Sequence, residues 1–254
     1  YDPNRPQIFR DWQIHGKVNM AEAIAKSCDV YFYSIGGGYK DQIGLGVNKI
    51  ENYLKDFNWG EKTGIDLFGE KPGLVPSSSW KEQELNDIWR IGDTYNLSIG
   101  QGYVRTTPLG LAINYSALIN GGKILKPFIV KEIIDTETQK VLQEINPQVI
   151  KQLTVDPQNL KTIKEGMELT TKIGTASSYF SDFPIKVAGK SGSAQISSDL
   201  TKVNAWFVSY LPADNPQILL VVLIESGGES GASATGVSRQ ILDWYVANRM
   251  KEDF

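Results

Sequence analysis

Three strand-like segments follow one another in the last third of the chain, at residues 187–197, 204–211 and 218–225. The second and third are rich in apolar, β-branched and aromatic residues, which favour strands. Because the connections between the segments are short, consecutive strands are expected to pair antiparallel. A helical pattern over residues 236–250 then closes the chain and is suited to lie across the sheet. We expect its apolar face to contain Val237, Ile241, Trp244, Tyr245 and Asn248.

The region before these strands has mostly helical patterns. Asn19 is a suitable N-cap for a helix at 20–25, and Asp29 is a suitable cap for a second helix that ends at the glycine triplet 36–38. The remaining patterns predict helices at 47–57, near 79–88, at 108–119 and at 156–169, and a hairpin formed by 128–134 and 140–145. The rest of 58–106 is predicted to be loops. Together these patterns indicate an α+β fold.

Charge and composition exclude several classes of protein. The formal net charge is -3 and no block of like charges occurs, so the chain lacks the clustered basic surface that binds nucleic acid. The longest strongly apolar run, residues 218–224, is far shorter than the roughly 20 residues that cross a bilayer. With Cys28 as its one cysteine, the chain can form no intrachain disulfide and no zinc site made of thiols alone.

The first candidate site is Lys190-Ser191-Gly192-Ser193, within the first of the three strands. On a strand Ser191 and Ser193 share one face, while Lys190 and Gly192 share the other. A peptide laid along this edge would gain main-chain hydrogen bonds, and the hydroxyls and the ammonium group would hold a carboxylate. Taken alone, such a tetrapeptide is commonly just a surface edge. A phosphate-binding P-loop is excluded because Pro184 stands where that motif needs glycine.

The second candidate is Ser27-Cys28-Asp29, at the junction of the first two helices. Its plain interpretation is helix capping by Ser27 or Asp29. Its functional interpretation is a hydroxyl and a carboxylate that point into a cleft, where they pass protons and hold an amide. A third possibility is that Cys28 acts as a nucleophile with His15, although no residue that would orient the histidine is evident.

Together, the two candidates resemble two of the three motifs of the serine penicillin-recognising enzymes, in which an S-x-N or S-x-D turn precedes K-[ST]-G on a strand. Segments along nearly the whole chain resemble, in order, the class B, elongation-type penicillin-binding protein 2 family. These segments are 9–12, 15–16, 23–25, 27–33, 69–73, 96–102, 107–109, 120–122 and 205–207.

The resemblance implies a penicillin-binding transpeptidase or serine β-lactamase-like fold, in which an antiparallel sheet is flanked by helices and joined to a helical subdomain. The chain would be the C-terminal portion of a single transpeptidase domain, with the N-terminal part missing. The resemblance implies a helical part at about 15–125 and 155–172, and a sheet with its closing helix at about 126–146 and 185–250.

The resemblance also implies catalytic roles. Ser27 would belong to a proton relay, and Lys190 would hold the Ser27 hydroxyl and raise the local positive potential. The backbone N–H of Ser193 would form half of an oxyanion hole.

The implied substrate-binding residues lie around the same strand. Ser191 and Ser193 would bind the substrate carboxylate, and Gly192 would let the acyl donor lie flat. Asp29, at a position that is asparagine in many relatives, would contact the substrate as well. Trp206 either lines the cleft or belongs to the core.

The nucleophile of this family is the serine of an S-x-x-K motif that precedes the S-x-D turn, and none occurs before Ser27. A match at Ser78-Ser79-Trp80-Lys81 comes after the turn and in polar surroundings, so we interpret it as a chance match. The sequence is therefore expected to be a fragment without its own nucleophile, whose upstream part supplies the serine, its lysine and the first strands of the sheet.

The function implied by the resemblance is that of a D,D-transpeptidase, which cross-links peptidoglycan stem peptides ending in D-Ala-D-Ala and is inactivated by β-lactam antibiotics. The alternatives are a D,D-carboxypeptidase or β-lactamase of the same fold, or a non-catalytic β-lactam-binding sensor or scaffold. The implied location is the extracytoplasmic face of the bacterial membrane, with an anchor upstream and a glycan polymerase of the elongation machinery as partner. No metal or organic cofactor is implied.

Overall fold

The computed structural model describes residues 7–196, 202–227 and 231–250. The helices are α1 Met20–Lys26, α2 Asp29–Gly37, α3 Gly46–Asp56, α4 Ser78–Leu85, α5 Ile91–Ser98, α6 Pro108–Ile119, α7 Pro157–Lys172, α8 Ser177–Phe180 and α9 Ala232–Asn248. The strands are β1 Lys123–Lys126, β2 Glu132–Ile134, β3 Val141–Glu144, β4 Gln148–Gln152, β5 Ala188–Gln195, β6 Val203–Leu211 and β7 Ile218–Ile224. None of the helices described here is both long and apolar enough to cross a membrane.

The C-terminal sheet has the predicted antiparallel order β5-β6-β7. Its strands match the predicted segments, except that Ser197, at the predicted end of the first strand, lies outside the described residues. The sheet and α9 enclose a core in which Phe180 stacks on Phe207, with ring centroids 5.7 Å apart, beside Leu211 and Leu242. Burial of such side chains stabilises the fold by roughly 1.5–3 kcal/mol each.

Helix α9 lies on the sheet with a different face from the predicted one. Its buried residues are Ala234, Thr235, Ser238 and Leu242. Two residues of the predicted face, Ile241 and Trp244, are 39% and 55% exposed. The prediction was wrong because small side chains let a helix approach a sheet closely, whereas the apolar pattern alone favoured the bulkier residues. The helix also begins at Ala232 rather than at 236.

Helix α1 is fixed to the sheet through α7, which packs against β5. Gly166 of α7 lies so close to α1 that an added Cβ would come within 2.8 Å of Ile24 Cβ. At Gly174, just after α7, an added Cβ would collide with the carbonyl group of Ala25. The neighbouring Thr175 N–H donates to the Ala25 carbonyl oxygen at 3.1 Å. The end of α1 is therefore held at a fixed position relative to β5.

Two predictions about the helical region change in detail. Asp29 is the first residue of α2 and not its cap; Cys28 occupies the N-cap position and makes no side-chain capping bond. Helix α5 lies in a region predicted as loop, because its residues Gly92, Asp93 and Thr94 are poor helix formers. Its first turn is instead stabilised by Asp93, whose carboxylate accepts from the Arg90 N–H at 2.7 Å.

The middle of the chain forms two small sheets. The predicted hairpin is present as β2 and β3, with shorter strands than expected, and it forms a sheet of its own. The sequence did not predict that β1 pairs with β4 in another two-stranded sheet. Grouping 126–146 with the C-terminal sheet was therefore wrong: in the described part of the chain, these residues belong to separate sheets.

Candidate active site

Ser27 ends α1 in a left-handed conformation, with φ 53° and ψ 52°. This conformation is uncommon for a residue with a side chain and turns the backbone sharply between α1 and α2. The opposite end of α1 carries the predicted cap: Asn19 and Glu22 form a reciprocal capping box. The carbonyl of Ser27 accepts from the Trp12 indole N–H at 3.0 Å. The turn is therefore held from both the helix and the N-terminal segment.

Lys190 lies on β5 and reaches this turn. Its Nζ donates to Ser27 Oγ at 3.0 Å and to the Ser191 carbonyl oxygen at 2.8 Å. The structure thus brings together the two segments on which the sequence prediction depended. Burial lowers the pKa of Lys190 to about 8, while the nearby Asp29 carboxylate opposes that shift. An ammonium group with such a pKa can release and accept a proton near neutral pH.

The two serines of β5 have different partners. Ser191 Oγ lies 2.7 Å from Thr175 Oγ1. Ser193 Oγ accepts from the Gly231 N–H, at the beginning of α9, at 2.8 Å. Both hydroxyls are therefore oriented by hydrogen bonds to elements beside the strand, and the sequence pattern did not identify either partner.

Gly192 and Trp206 are paired across β5 and β6. An added Cβ at Gly192 would come within 3.3 Å of Trp206 Cβ, which is tight for any side chain. Trp206 is half-buried and lines the same cleft as Lys190. Trp206 was expected either to line the cleft or to belong to the core, and in the structure it lies at the cleft.

Asp29 begins α2 beside the turn. Burial and the nearby Asp11 carboxylate raise its pKa to about 6, and Lys190 partly offsets that rise. The same two carboxylates add to the effect of burial on Tyr33, whose pKa rises to about 12. The turn therefore holds an acid that is half ionised about one pH unit below neutrality.

Cys28 does not have the environment of a nucleophile. Its Sγ donates to Asp11 Oδ2 at 3.1 Å, and burial together with this bond raises its pKa to about 11. His15 Nε2 lies 3.2 Å from the other oxygen of Asp11. A thiol with this pKa stays protonated at neutral pH, so the structure argues against the Cys28–His15 pair.

Asp11, His15 and Cys28 form a group that the sequence prediction missed. One ligand atom from each lies within 4.8 Å of the other two, so this group could hold a metal ion. The prediction had considered cysteine alone as a zinc ligand and His15 only as a base. Asp11 was not selected because it lies before α1 in the chain, whereas Cys28 follows α1, so only the fold brings the two together.

The cleft beside β5 has a volume of about 860 Å³. We call it the β5 cleft, and one wall is formed by residues 190–196 with Trp206. Other lining residues come from α2, α3 and the segment around the end of α5, which the sequence prediction did not connect with the site. The cleft is long enough to lie along the whole K-S-G-S segment.

The residues of the Ser78–Lys81 match have different surroundings from those of this site. Lys81 is buried and bridges Asp93 at 2.7 Å and Asp87 at 3.1 Å, and these contacts raise its pKa. Ser78 is the exposed first residue of α4. A lysine neutralised by two carboxylates cannot serve as a base at neutral pH, which supports the interpretation of a chance match.

Comparison with known proteins gives a consistent relationship over the whole chain. Residues 1–243 match the penicillin binding protein transpeptidase domain. The chain is 32% identical to the peptidoglycan D,D-transpeptidase MrdA of Haemophilus influenzae, over 98% of this chain and 40% of the relative. It is 28% identical to the MrdA protein of Escherichia coli K12, over 95% of this chain and 39% of the relative. The chain thus spans about two fifths of the length of these relatives.

Solved structures show the same relationship in three dimensions. The fold matches PBP2 of Pseudomonas aeruginosa in complex with WCK 5153 with a TM-score of 0.82 and 31% identity, covering 99% of this chain and 56% of that one. It matches PBP2 of Helicobacter pylori in complex with MreC with a TM-score of 0.76 and 29% identity, covering 95% of this chain and 43% of that one. The predicted α+β class and the predicted resemblance are thereby confirmed.

Proposed function

Because this chain belongs to the penicillin binding protein transpeptidase family, we propose that it is the C-terminal portion of the transpeptidase domain of a peptidoglycan D,D-transpeptidase. The substrates of the complete protein are stem peptides ending in D-Ala-D-Ala, and β-lactams inactivate that protein. The observation that carries this proposal is the 3.0 Å hydrogen bond from Lys190 Nζ to Ser27 Oγ beside the β5 cleft.

Lys190 and Ser27 act together in proton transfer. Removing Lys190 from water lowers its pKa, so the pair can pass a proton between the reacting serine and the leaving amine. The attack forms a bond from the serine oxygen to the penultimate D-Ala carbonyl carbon and releases the terminal D-Ala. The amine of a second stem peptide then displaces the enzyme's serine and completes the cross-link.

The remaining residues bind the acyl donor. The hydroxyls of Ser191 and Ser193 donate to its carboxylate, and the Ser193 N–H faces the developing oxyanion. Gly192 leaves the strand surface flat there, and Trp206 contacts the donor from the next strand. Asp29 contacts the donor amide, and its raised pKa allows the carboxyl to donate when protonated.

The acylable serine and its lysine are supplied by the part of the protein outside this chain. Two facts support this assignment: the sequence has no S-x-x-K motif before Ser27, and the relatives are much longer than the chain. By itself the chain is therefore inactive. The complete protein works at the extracytoplasmic face of the membrane beside a glycan polymerase, in keeping with a structural relative described as part of a peptidoglycan synthase complex.

A fluorescent penicillin tests this function on the complete protein. Lys190→Met is expected to slow covalent labelling by roughly 100-fold or more, the size of a general acid–base contribution. Lys186→Met is the matched control, because Lys186 lies nearby but forms an exposed ion pair with Asp214. Its labelling rate should equal that of the unmodified protein.

Three other outcomes would contradict the proposal. Loss of labelling in Ser78→Ala would mean that the nucleophile belongs to the Ser78–Lys81 match. Steady turnover of a chromogenic cephalosporin by the complete protein would favour a β-lactamase, and binding without any covalent adduct would favour a sensor.

A further inference from the structure

Gln101 makes two hydrogen bonds to the backbone of β5. Its Nε2 donates to the Ser193 carbonyl oxygen at 2.8 Å, and its Oε1 accepts from the Gln195 N–H at 3.3 Å. The residues on either side of it, Gly100 and Gly102, line the β5 cleft together with the K-S-G-S segment. Gln101 belongs to the loop that follows α5 and is far from β5 in the sequence.

The edge of β5 that Gln101 contacts is the edge open to the cleft. Among the described strands, β5 pairs with β6 alone, so its other edge has no strand partner. Ser193 and Gln195 are two residues apart, so their outward backbone groups lie on this same edge. A peptide that added to β5 as a strand would use these groups. The primary amide of Gln101 offers one donor and one acceptor, as a peptide backbone does.

The local sequence fixes Gln101 in this position. It lies between Gly100, with φ 76°, and Gly102, with φ 80°, and such conformations favour glycine. The Gln101 N–H donates to the Asn96 carbonyl oxygen at 2.9 Å, which ties the loop to the last turn of α5. The loop therefore presents one amide side chain toward β5 from a rigid support.

We propose that Gln101 is a resident ligand of the β5 edge, which an acyl donor bearing a backbone-type amide must displace. Gln101 is thus a specificity-determining residue of the proposed transpeptidase, and this inference rests on the proposed function. A donor amide that bonds to the Ser193 carbonyl replaces the Gln101 amide, whereas a ligand without such an amide leaves Gln101 in place. The two hydrogen bonds of Gln101 stabilise the free protein. Breaking them therefore weakens the binding of donors that carry such an amide.

A structural clamp is the competing explanation. The same two bonds would then serve only to hold the loop after α5 against the sheet. Loss of a clamp would loosen the cleft and slow acylation by every ligand. Loss of a resident ligand would instead speed acylation by amide-bearing ligands only. The two explanations therefore predict changes of opposite sign.

The test compares two β-lactams on the complete protein carrying Gln101→Met, which keeps the length of the side chain but removes both bonds. One probe is a penicillin with an acylamido side chain, and the other is a carbapenem without one. We expect the second-order acylation rate of the penicillin to rise roughly three- to tenfold, the range of one modest hydrogen-bond contribution. The carbapenem rate should stay within about twofold, since it does not compete with Gln101.

Gln143→Met is the control, because Gln143 is exposed on β3 in a separate sheet; both of its rates should be unchanged. Equal changes with the two β-lactams, a slower penicillin reaction, or no change in either rate would overturn the role of Gln101. A lowered melting temperature with slower reaction of both probes would establish the clamp. If neither probe acylates the unmodified protein, the proposed function itself fails, and that result is distinct from failure of the Gln101 inference alone.

Discussion

Lys81 and Lys190 both place an ammonium group inside the protein, but two regions of the molecule surround that group differently. Lys81, between α4 and α5, contacts the carboxylates of Asp87 and Asp93. Lys190, on β5, contacts a hydroxyl and a carbonyl oxygen, and its nearest carboxylate influence comes from Asp29. The pKa of Lys81 is consequently raised and that of Lys190 lowered.

The comparison shows how one residue type serves two purposes. Direct carboxylate partners fix a lysine as a permanent cation that joins two helices. Neutral oxygen partners in a desolvated position leave the proton exchangeable, at a cost in folding stability. Motif spacing alone cannot distinguish these two kinds of lysine. Ser78 and Lys81 have the spacing of a catalytic motif, whereas Ser27 and Lys190 are far apart in the sequence and form no short motif.

Removing the ammonium group of Lys81 should give the largest effect on stability. In Lys81→Met, the mostly buried carboxylate of Asp93 loses its cationic partner. We therefore expect the free energy of unfolding to fall by about 3 kcal/mol. Urea denaturation of this chain at neutral pH measures it. Lys55→Met, which removes an exposed pair with Glu51, is the control and should cost less than about 1 kcal/mol. A Lys81 variant as stable as that control would break the comparison.

Lys190→Met should change the pH dependence of stability. The folded pKa of about 8 lies below the ordinary value of 10.5, so the unfolded chain binds more protons between these values. Stability of the unmodified chain should therefore rise by about 2 kcal/mol, relative to Lys190→Met, as pH increases from 8 to 10.5. Denaturation profiles of the two proteins measure the difference. A constant difference over this range would show that Lys190 titrates normally.

Asp29→Asn should have the smallest effect, with the opposite dependence on pH. The folded pKa of about 6 exceeds the ordinary 3.8, so the folded chain binds more protons and the wild-type protein loses stability as pH rises from about 4 to 6. Because Asp29 is only partly buried, solvent screens its interactions, and we expect the variant to be more stable by about 1 kcal/mol at pH 7 and equal below pH 4. Calorimetry at the two pH values checks this. Equal stability at both would mean that Asp29 is not perturbed.

Local patterns were sufficient for much of the fold. The strands β6 and β7 consist mostly of apolar residues, and α1 carries its cap in Asn19 and Glu22, so neighbouring residues specify both kinds of element. Helix α5 and the buried face of α9 could not be predicted in this way. The first depends on a side-chain cap and the second on close packing by small residues, and neither leaves a strong apolar period.

The site was predicted only as far as its motifs extend. Ser27 and Lys190 were selected from motif types and their order, and the structure brings them into contact. Gln101 and Asp11 were missed because their roles come from contacts with β5 and Cys28, which no local pattern records. Thr175 was missed for the same reason.

The close approach of α1 to the end of α7 determines how the site would respond to a mutation outside it. The carbonyl of Ala25 fills the space beside Gly174, two residues before the Ser27 turn begins. A single methyl group at Gly174 would push that turn away from Lys190 while leaving every polar atom of the site chemically intact. The contact between Lys190 and Ser27 is thereby sensitive to mutation at a residue that carries no functional group at all.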